Sequence, residues 1–442
     1  MLLSLQNMIE LSLALLQIFI FIIIFSYPLN IYNIKQISKS YKFGFYDIIL
    51  INIILHLSVY LCLSFFKINL QIVFAIQLII GLIFFINYQK KYLYFLKENF
   101  LIFIFFLSTI FSLFVIIIWD PILTWDGISH WFFKAQIFYQ NGEYSQLKEV
   151  PMYHYPHLGS YIWAFFWKNS ILQLEYFGRF FYVFIFVTTI FSSVEILKKN
   201  FLDFEKCLII LLIFILTVDK FLLGGYQEYL LFSIFYIISR IFLLLLKQND
   251  YQIKYIYFFY FITSFLFLWI KQEGFFYYII SSIIFILFFQ NKLNQKLLSS
   301  LVILFLLSIY ILIRFYFHES FQFNENISSS NFMKQLSLTI LGKKLFYILK
   351  YMLISFFKYP IWILILFSMF FLYRKKYFEY KKYIIIFLAL NFLFIFSIYL
   401  YSSYDLVWFL STSLSRLLFG ISGFFILLIV ECLNKIREEK NL

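Results

Sequence analysis

The chain has 442 residues, of which 63% are hydrophobic, 25% aromatic and only 13% charged, about half the charged share of an ordinary soluble domain. The net charge of +14 would suit a nucleic-acid binder. Its lysines and arginines, however, stand in short clusters between long apolar runs, which is the pattern that sets membrane topology and excludes nucleic acid as a partner.

Runs of about 20 apolar residues match the hydrocarbon thickness of a bilayer when helical, and these are too long and uniform for barrel strands. The expected fold is all-α: a polytopic integral membrane protein with no soluble domain large enough to act alone. In chain order the runs place about 13 spans, at approximately 11–27, 47–66, 70–87, 100–119, 174–197, 203–218, 229–246, 255–270, 275–290, 297–317, 359–373, 383–401 and 417–433. The run Leu11–Phe25 lacks the basic flank and small-residue cleavage site of a signal peptide and reads as a retained span. Cys62, Cys207 and Cys432 lie inside apolar runs, as small packing residues rather than a disulfide framework. The sequence shows no internal repeat.

Basic clusters orient these spans. They are Lys35, Lys39 and Lys42; Lys90, Lys91 and Lys97; Lys198, Lys199 and Lys206; Lys247 and Lys254; Lys292 and Lys296; Arg374 to Lys376 with Lys381 and Lys382; and Lys435, Arg437 and Lys440. With the spans above, every cluster falls on one side, the cytoplasm, which leaves the N-terminus outside and the C-terminus inside. Two long stretches lie outside, the loop 120–173 and the segment 318–358. The latter holds the amphipathic, lysine-rich Leu336–Phe357, expected to lie on the outer membrane surface.

A charge at mid-bilayer costs at least about 2.5–3.5 kcal/mol, so charges at the outer span ends are functional candidates. In Trp119–Trp131, Pro121 and its neighbours end one helix. Another begins at Asp126, which suits a helix N-terminus as a cap and against the dipole. Helical spacing puts Ile128, Trp131, Phe132, Ala135 and Phe138 on a lipid-facing side. It puts Asp126, His130 and Lys134 opposite, toward an aqueous cavity. Asp126 is thus either a cavity carboxylate or simply the cap, and spacing leaves both open. Next come Tyr153-His154-Tyr155-Pro156-His157 and the aromatic Tyr161–Trp167 stretch. With His130 they make three histidines, but without metal spacing or a cysteine. No cofactor is expected, and a divalent cation stays open without a ligand signature. Further along stand Tyr226-Gln227-Glu228, Lys271-Gln272-Glu273-Gly274, and Asp405 through Ser411-Thr412-Ser413 to Arg416. These charges either snorkel at helix ends or hold a lipid phosphate.

Taken together, the segments resemble the GT-C superfamily of polytopic, lipid-sugar-dependent glycosyltransferases, in particular bacterial members related to protein mannosyltransferases and aminoarabinose transferases. WDGISHWFFKA is similar to that family's Asp-bearing first external loop, and HYPHLGSYIW to its Tyr-Pro segment opening a juxtamembrane helix. KQEG resembles a Lys-Asn-Glu-Gly pattern, and DLVWFLSTSLSRLL a C-terminal Trp…Ser…Arg element. The resemblance covers roughly residues 100 to 433. It implies a core at 100–442, with juxtamembrane helices in loop 120–173, after an N-terminal extension of three helices at 1–99. The chain departs from the family in the three spans that precede the core helix leading into the Asp-bearing loop, and in having no soluble C-terminal domain.

The activity implied is transfer of a sugar from a polyprenyl-phosphate donor, with inversion, to a glycan, lipid or protein acceptor at the outer face of the bacterial inner membrane. Such chemistry needs a carboxylate base and a charge clamp for the departing phosphate. The resemblance assigns Asp126 as base, with Asp120 as the alternative, and Lys271 and Arg416 as the clamp. His130, Lys134, His154, Tyr155, Glu228 and Glu273 then line the cavity. Two other classes compete. An O-antigen polymerase or ligase shares the many spans and the large outer loop, but calls for paired external arginines that are scarce here. A lipid-sugar flippase or transporter calls for repeat symmetry and Gly- or Pro-broken helices, and none of the 5 Pro and 12 Gly clearly breaks corresponding spans.

Overall fold

A computed structural model describes residues 5–26, 44–198, 200–246, 253–289, 293–317, 338–375, 381–402 and 404–440. Of the topology-setting residues, Lys35, Lys39, Lys42, Lys199, Lys247, Lys292 and Lys376 lie outside them. The regular structure of the described residues is all helix, with no strand among them. Each expected span coincides with a helix. Nine are long and apolar enough to cross a membrane, or ten if one sharply bent pair counts as a single span. This is the make-up of a multi-pass membrane protein. The other four expected spans fall on helices of 14 to 18 residues; at about 1.5 Å per residue these fall below the ~30 Å hydrocarbon core.

The chain divides by packing into two compact units. The first takes 1–233, 250–255 and 269–271. It contains α1 (Leu5–Ile24), α2 (Phe45–Leu63), α3 (Leu70–Glu98), α4 (Phe100–Trp119), α5 (Phe133–Tyr139), α6 (Leu158–Lys168), α7 (Glu175–Val194) and α8 (Asp203–Thr217). At its centre is α7, the one span of the nine whose apolar window is wholly buried, packed on α1, α2, α4, α6 and α8. Phenylalanines fill its surroundings: Phe180 stacks on Phe114 at 3.8 Å and Phe181 on Phe166 at 5.3 Å. The hydroxyls of Thr188, Thr189 and Ser193 donate to carbonyls of their own helix, so burial leaves them satisfied.

The Glu195 carboxylate, just past α7, accepts the N–H groups of Tyr46 and Asp47 at 3.1 and 3.0 Å. It thereby supplies from afar the anion that the N-terminus of α2 favours. Within this unit α1, α2 and α3 pack on α4, α6 and α7.

The second unit takes 234–249, 256–268 and 272–442. α9 (Glu228–Leu246) and α10 (Ile253–Ile270) contribute residues to both units. The second holds α11 (Gly274–Phe289), α12 (Leu293–Tyr316), α13 (Leu338–Lys358), α14 (Ile361–Arg374), α15 (Lys381–Tyr401) and α16 (Leu406–Lys440). Its most covered helix is α16. The Trp362 indole of α14 donates to Leu418 O at 3.2 Å, and Phe387 of α15 stacks on Phe424 at 3.7 Å. α13 and α14 meet at a bend of 97°, and α13 packs across α15 and α16. The segment expected to lie along the surface is thus a helix turned at a right angle to the apolar helix that follows it.

Candidate functional site

The Asp-bearing loop is built on two backbone crossings. After α4 ends, Thr124 donates its N–H to Gly224 O at 3.0 Å, and its hydroxyl donates to the same carbonyl at 3.0 Å. The Gly127 N–H in turn donates to Thr124 Oγ1 at 3.3 Å. A Cβ on Gly127 would stand 2.3 Å from Gly224 O, so only glycine permits this approach. Gly225 beside it has φ +98°, a conformation that glycine adopts without strain.

The helix therefore starts at Trp125 with Thr124 as its capping side chain. Asp126 sits in the first turn and makes no capping hydrogen bond. Capping was one of two readings of Asp126, and the structure gives that role to Thr124.

Gly127–Phe132 winds as a π-helix before continuing as α5. One buried stripe, Gly127, His130, Trp131, Lys134, Ala135 and Phe138, runs through the turn and into α5, and it corrects the expected faces. Lys134 and His130 do not line an open face: Lys134 is wholly buried and His130 nearly so, whereas Ile128 is exposed. The Lys134 ammonium donates to Tyr155 O at 2.6 Å and lies 5.7 and 5.8 Å from the Trp131 and Tyr155 ring centres, so a carbonyl and two π-faces replace its water. His130 meets the Tyr155 ring edge-on at 4.4 Å, and His154 lies 5.0 Å from that ring. Tyr155 is the hub of this cluster.

Asp120, the alternative base, is committed elsewhere. Lys220 Nζ lies 2.7 Å from its carboxylate. This hydrogen bond, with the lysine's charge, holds the carboxyl below the ordinary aspartate range, which makes it a weaker base.

A predicted clamp residue is also engaged. Lys271 pairs with Glu228 at 3.0 Å, with both side chains buried. The pair joins the N-terminal residue of α9 to the residue after the C-terminus of α10, the ends that favour a carboxylate and an ammonium respectively. Glu273 and Arg416 belong to the second unit. There Arg416 Nε donates to Thr412 O at 2.9 Å, beside a second π turn at Leu410–Leu414. Asp405 caps that helix through the Trp408 N–H at 2.8 Å.

One contributor escaped sequence reasoning, and a second stood out there only as one of three histidines without metal spacing. Arg179, fully buried in α7, donates to Pro121 O at 2.7 Å and to Leu223 O at 3.2 Å. It also pairs with Glu175 at 3.1 Å. One guanidinium thereby holds both segments that meet at Thr124 and Gly224. An arginine inside an otherwise apolar run was the available signal. His157, also fully buried, shares a hydrogen bond with Ser64 Oγ at 2.7 Å and packs on Tyr144 at 4.4 Å. It ties the loop to the end of α2. Among the described residues no three His, Cys, Asp or Glu side chains gather as metal ligands.

Set beside known protein families, characterised proteins and solved structures, the chain finds no match. The arrangement is read on its own chemistry.

Proposed function

We propose that the chain is a membrane glycosyltransferase that moves a sugar from a polyprenyl-phosphate donor to an acceptor at the outer face of a bacterial inner membrane, through about 13 spans, with Asp126 as general base. The observation that carries this reading is the setting of Asp126. Its helix is capped by Thr124, its loop is held by Arg179, and its competitor Asp120 is bound to Lys220. A second support is that both π-helical turns among the described residues fall in segments carrying the resemblance, since such turns gather at functional sites. In this reading Arg416 meets the donor phosphate. Lys271 exchanges Glu228 for that phosphate when the donor binds.

The test is purified protein with a panel of radiolabelled polyprenyl-phosphate sugars. Asp126→Asn should lower transfer about 10²–10⁴-fold, the usual share of a general base, without loss of folding because Thr124 keeps the cap. Asp120→Asn should be milder, and Arg416→Ala should raise the donor concentration needed. Lys271→Ala alone would strand a buried Glu228, so it is paired with Glu228→Gln. Full transfer by both Asp126→Asn and Asp120→Asn removes the carboxylate mechanism.

A further inference from the structure

We infer that α13 is a docking surface for anionic phospholipid headgroups, with Lys343 and Lys350 as the binding side chains. The inference stands apart from the proposed catalysis. The helix has two well-separated faces. Ile348, Met352 and Ser355 are buried against the unit, and Lys344 reaches inward to donate to Leu400 O at 2.8 Å. On the opposite side Phe346, Leu349, Leu353 and Phe357 recur at i, i+3, i+7 and i+11, each more than half exposed. Such a stripe is the insertion face of a helix lying in a bilayer interface.

Lys343 and Lys350 stand two turns apart on that same side, both exposed. Long lysine stems there can follow the apolar surface and lift the ammonium to headgroup level. Lys358, by contrast, is drawn toward Ser415 Oγ at 3.5 Å and the Tyr359 ring at 5.3 Å. Leu338–Lys358 contains no aspartate or glutamate, so its charge complements an anionic surface. The 97° bend to α14 gives the orientation needed: when the apolar α14 enters the bilayer, α13 lies along its surface.

The experiment uses the full chain in lipid nanodiscs. Cys62, Cys207 and Cys432 are replaced by alanine, and Leu353→Cys carries an environment-sensitive fluorophore. Quenching by chain-labelled phosphatidylglycerol is compared with quenching by chain-labelled phosphatidylcholine at equal mole fraction. Phosphatidylglycerol should be preferred by about fivefold per lysine, the attraction expected of a basic residue near an anionic leaflet, and added salt should weaken the preference. The Lys343→Gln, Lys350→Gln variant should quench equally with both lipids, whereas Lys343→Arg, Lys350→Arg should keep the preference. Equal quenching in the unaltered chain, or a preference that survives the glutamine pair, overturns the proposal. A label that neither lipid quenches means that another protein face, such as a second copy, covers the stripe, and that also overturns it.

Discussion

The helix Trp125–Tyr139 and α13 read alike in the sequence. Each is an apolar segment carrying lysine, outside the long spans, with an amphipathic period suited to the interface. They end differently. In the first, Lys134 is wholly buried under Tyr155 and Trp131, and the helix is locked to Gly224 and Tyr155. In the second, Lys343 and Lys350 stay exposed beside an open apolar stripe. A lysine buries only where fixed dipoles replace its hydration. The Asp-bearing loop supplies a carbonyl and two rings at the required distance, and the exposed side of α13 supplies none. A segment that holds its charge inside has been given a fixed geometry. One that leaves its charges outside is kept for a variable, solvent- or lipid-side partner.

The comparison can be broken at several points. The largest stability effect is expected at Arg179, which holds the segment leading into the first helix through Pro121 O and Leu223 O. Arg179→Met should cost about 3–5 kcal/mol, the usual penalty for removing one partner of a buried ion pair. Arg179→Lys should recover only part of it, because an ammonium lacks the fork that reaches two carbonyls and a carboxylate together. Thermal unfolding in detergent measures both. A mild Arg179→Met would mean that the loop is held by Thr124 and Gly127 alone.

Lys134→Met should cost about 1–3 kcal/mol, because Tyr155 O would lose its buried donor. Lys343→Gln on α13 should stay within about 0.5 kcal/mol, as surface substitutions do. Equal effects at the two lysines would erase the contrast. The smallest effect is expected at Asp120. Its folded-state carboxyl lies below the unfolded value of about 3.9, so the Lys220 bridge stabilises fully above that value. The contribution is lost as pH falls through the folded value. The unfolding difference between the unaltered chain and Asp120→Asn should shrink toward zero on acidification, and a difference that grows in acid would reverse the assignment.

Much of the candidate site was visible residue by residue, but its pairings were not. Asp126, Glu228, Lys271 and Arg416 stood out because charges beside apolar runs are costly. That Lys271 already holds Glu228, and that Asp120 holds Lys220 from a segment 100 residues on, are facts of chain crossing with no local trace. The expected polar stripe of Asp126, His130 and Lys134 failed because Tyr155 covers His130 and Lys134 along with Trp131, on a helix that opens with the wide π turn of Gly127–Phe132. The tight meeting of Gly127 with Gly224 accompanies that wider turn.

The sequence by itself determined the helical character of the described residues and the position of the long apolar helices, because runs of that length must satisfy their backbone locally when water is excluded. It also set the end of α4 and the restart beyond Pro121, since proline and capping act over a few residues. Only the tertiary structure decided which apolar faces meet protein. α7 is the least apolar of the nine long spans and is wholly buried, while the more apolar α12 is only 17% buried. Lipid tails are as apolar as leucine, so apolarity does not distinguish a lipid-facing side from a protein-facing one. A helix enclosed by protein can carry Arg179 and Ser192 because neighbouring elements satisfy them, and those neighbours come from distant parts of the chain.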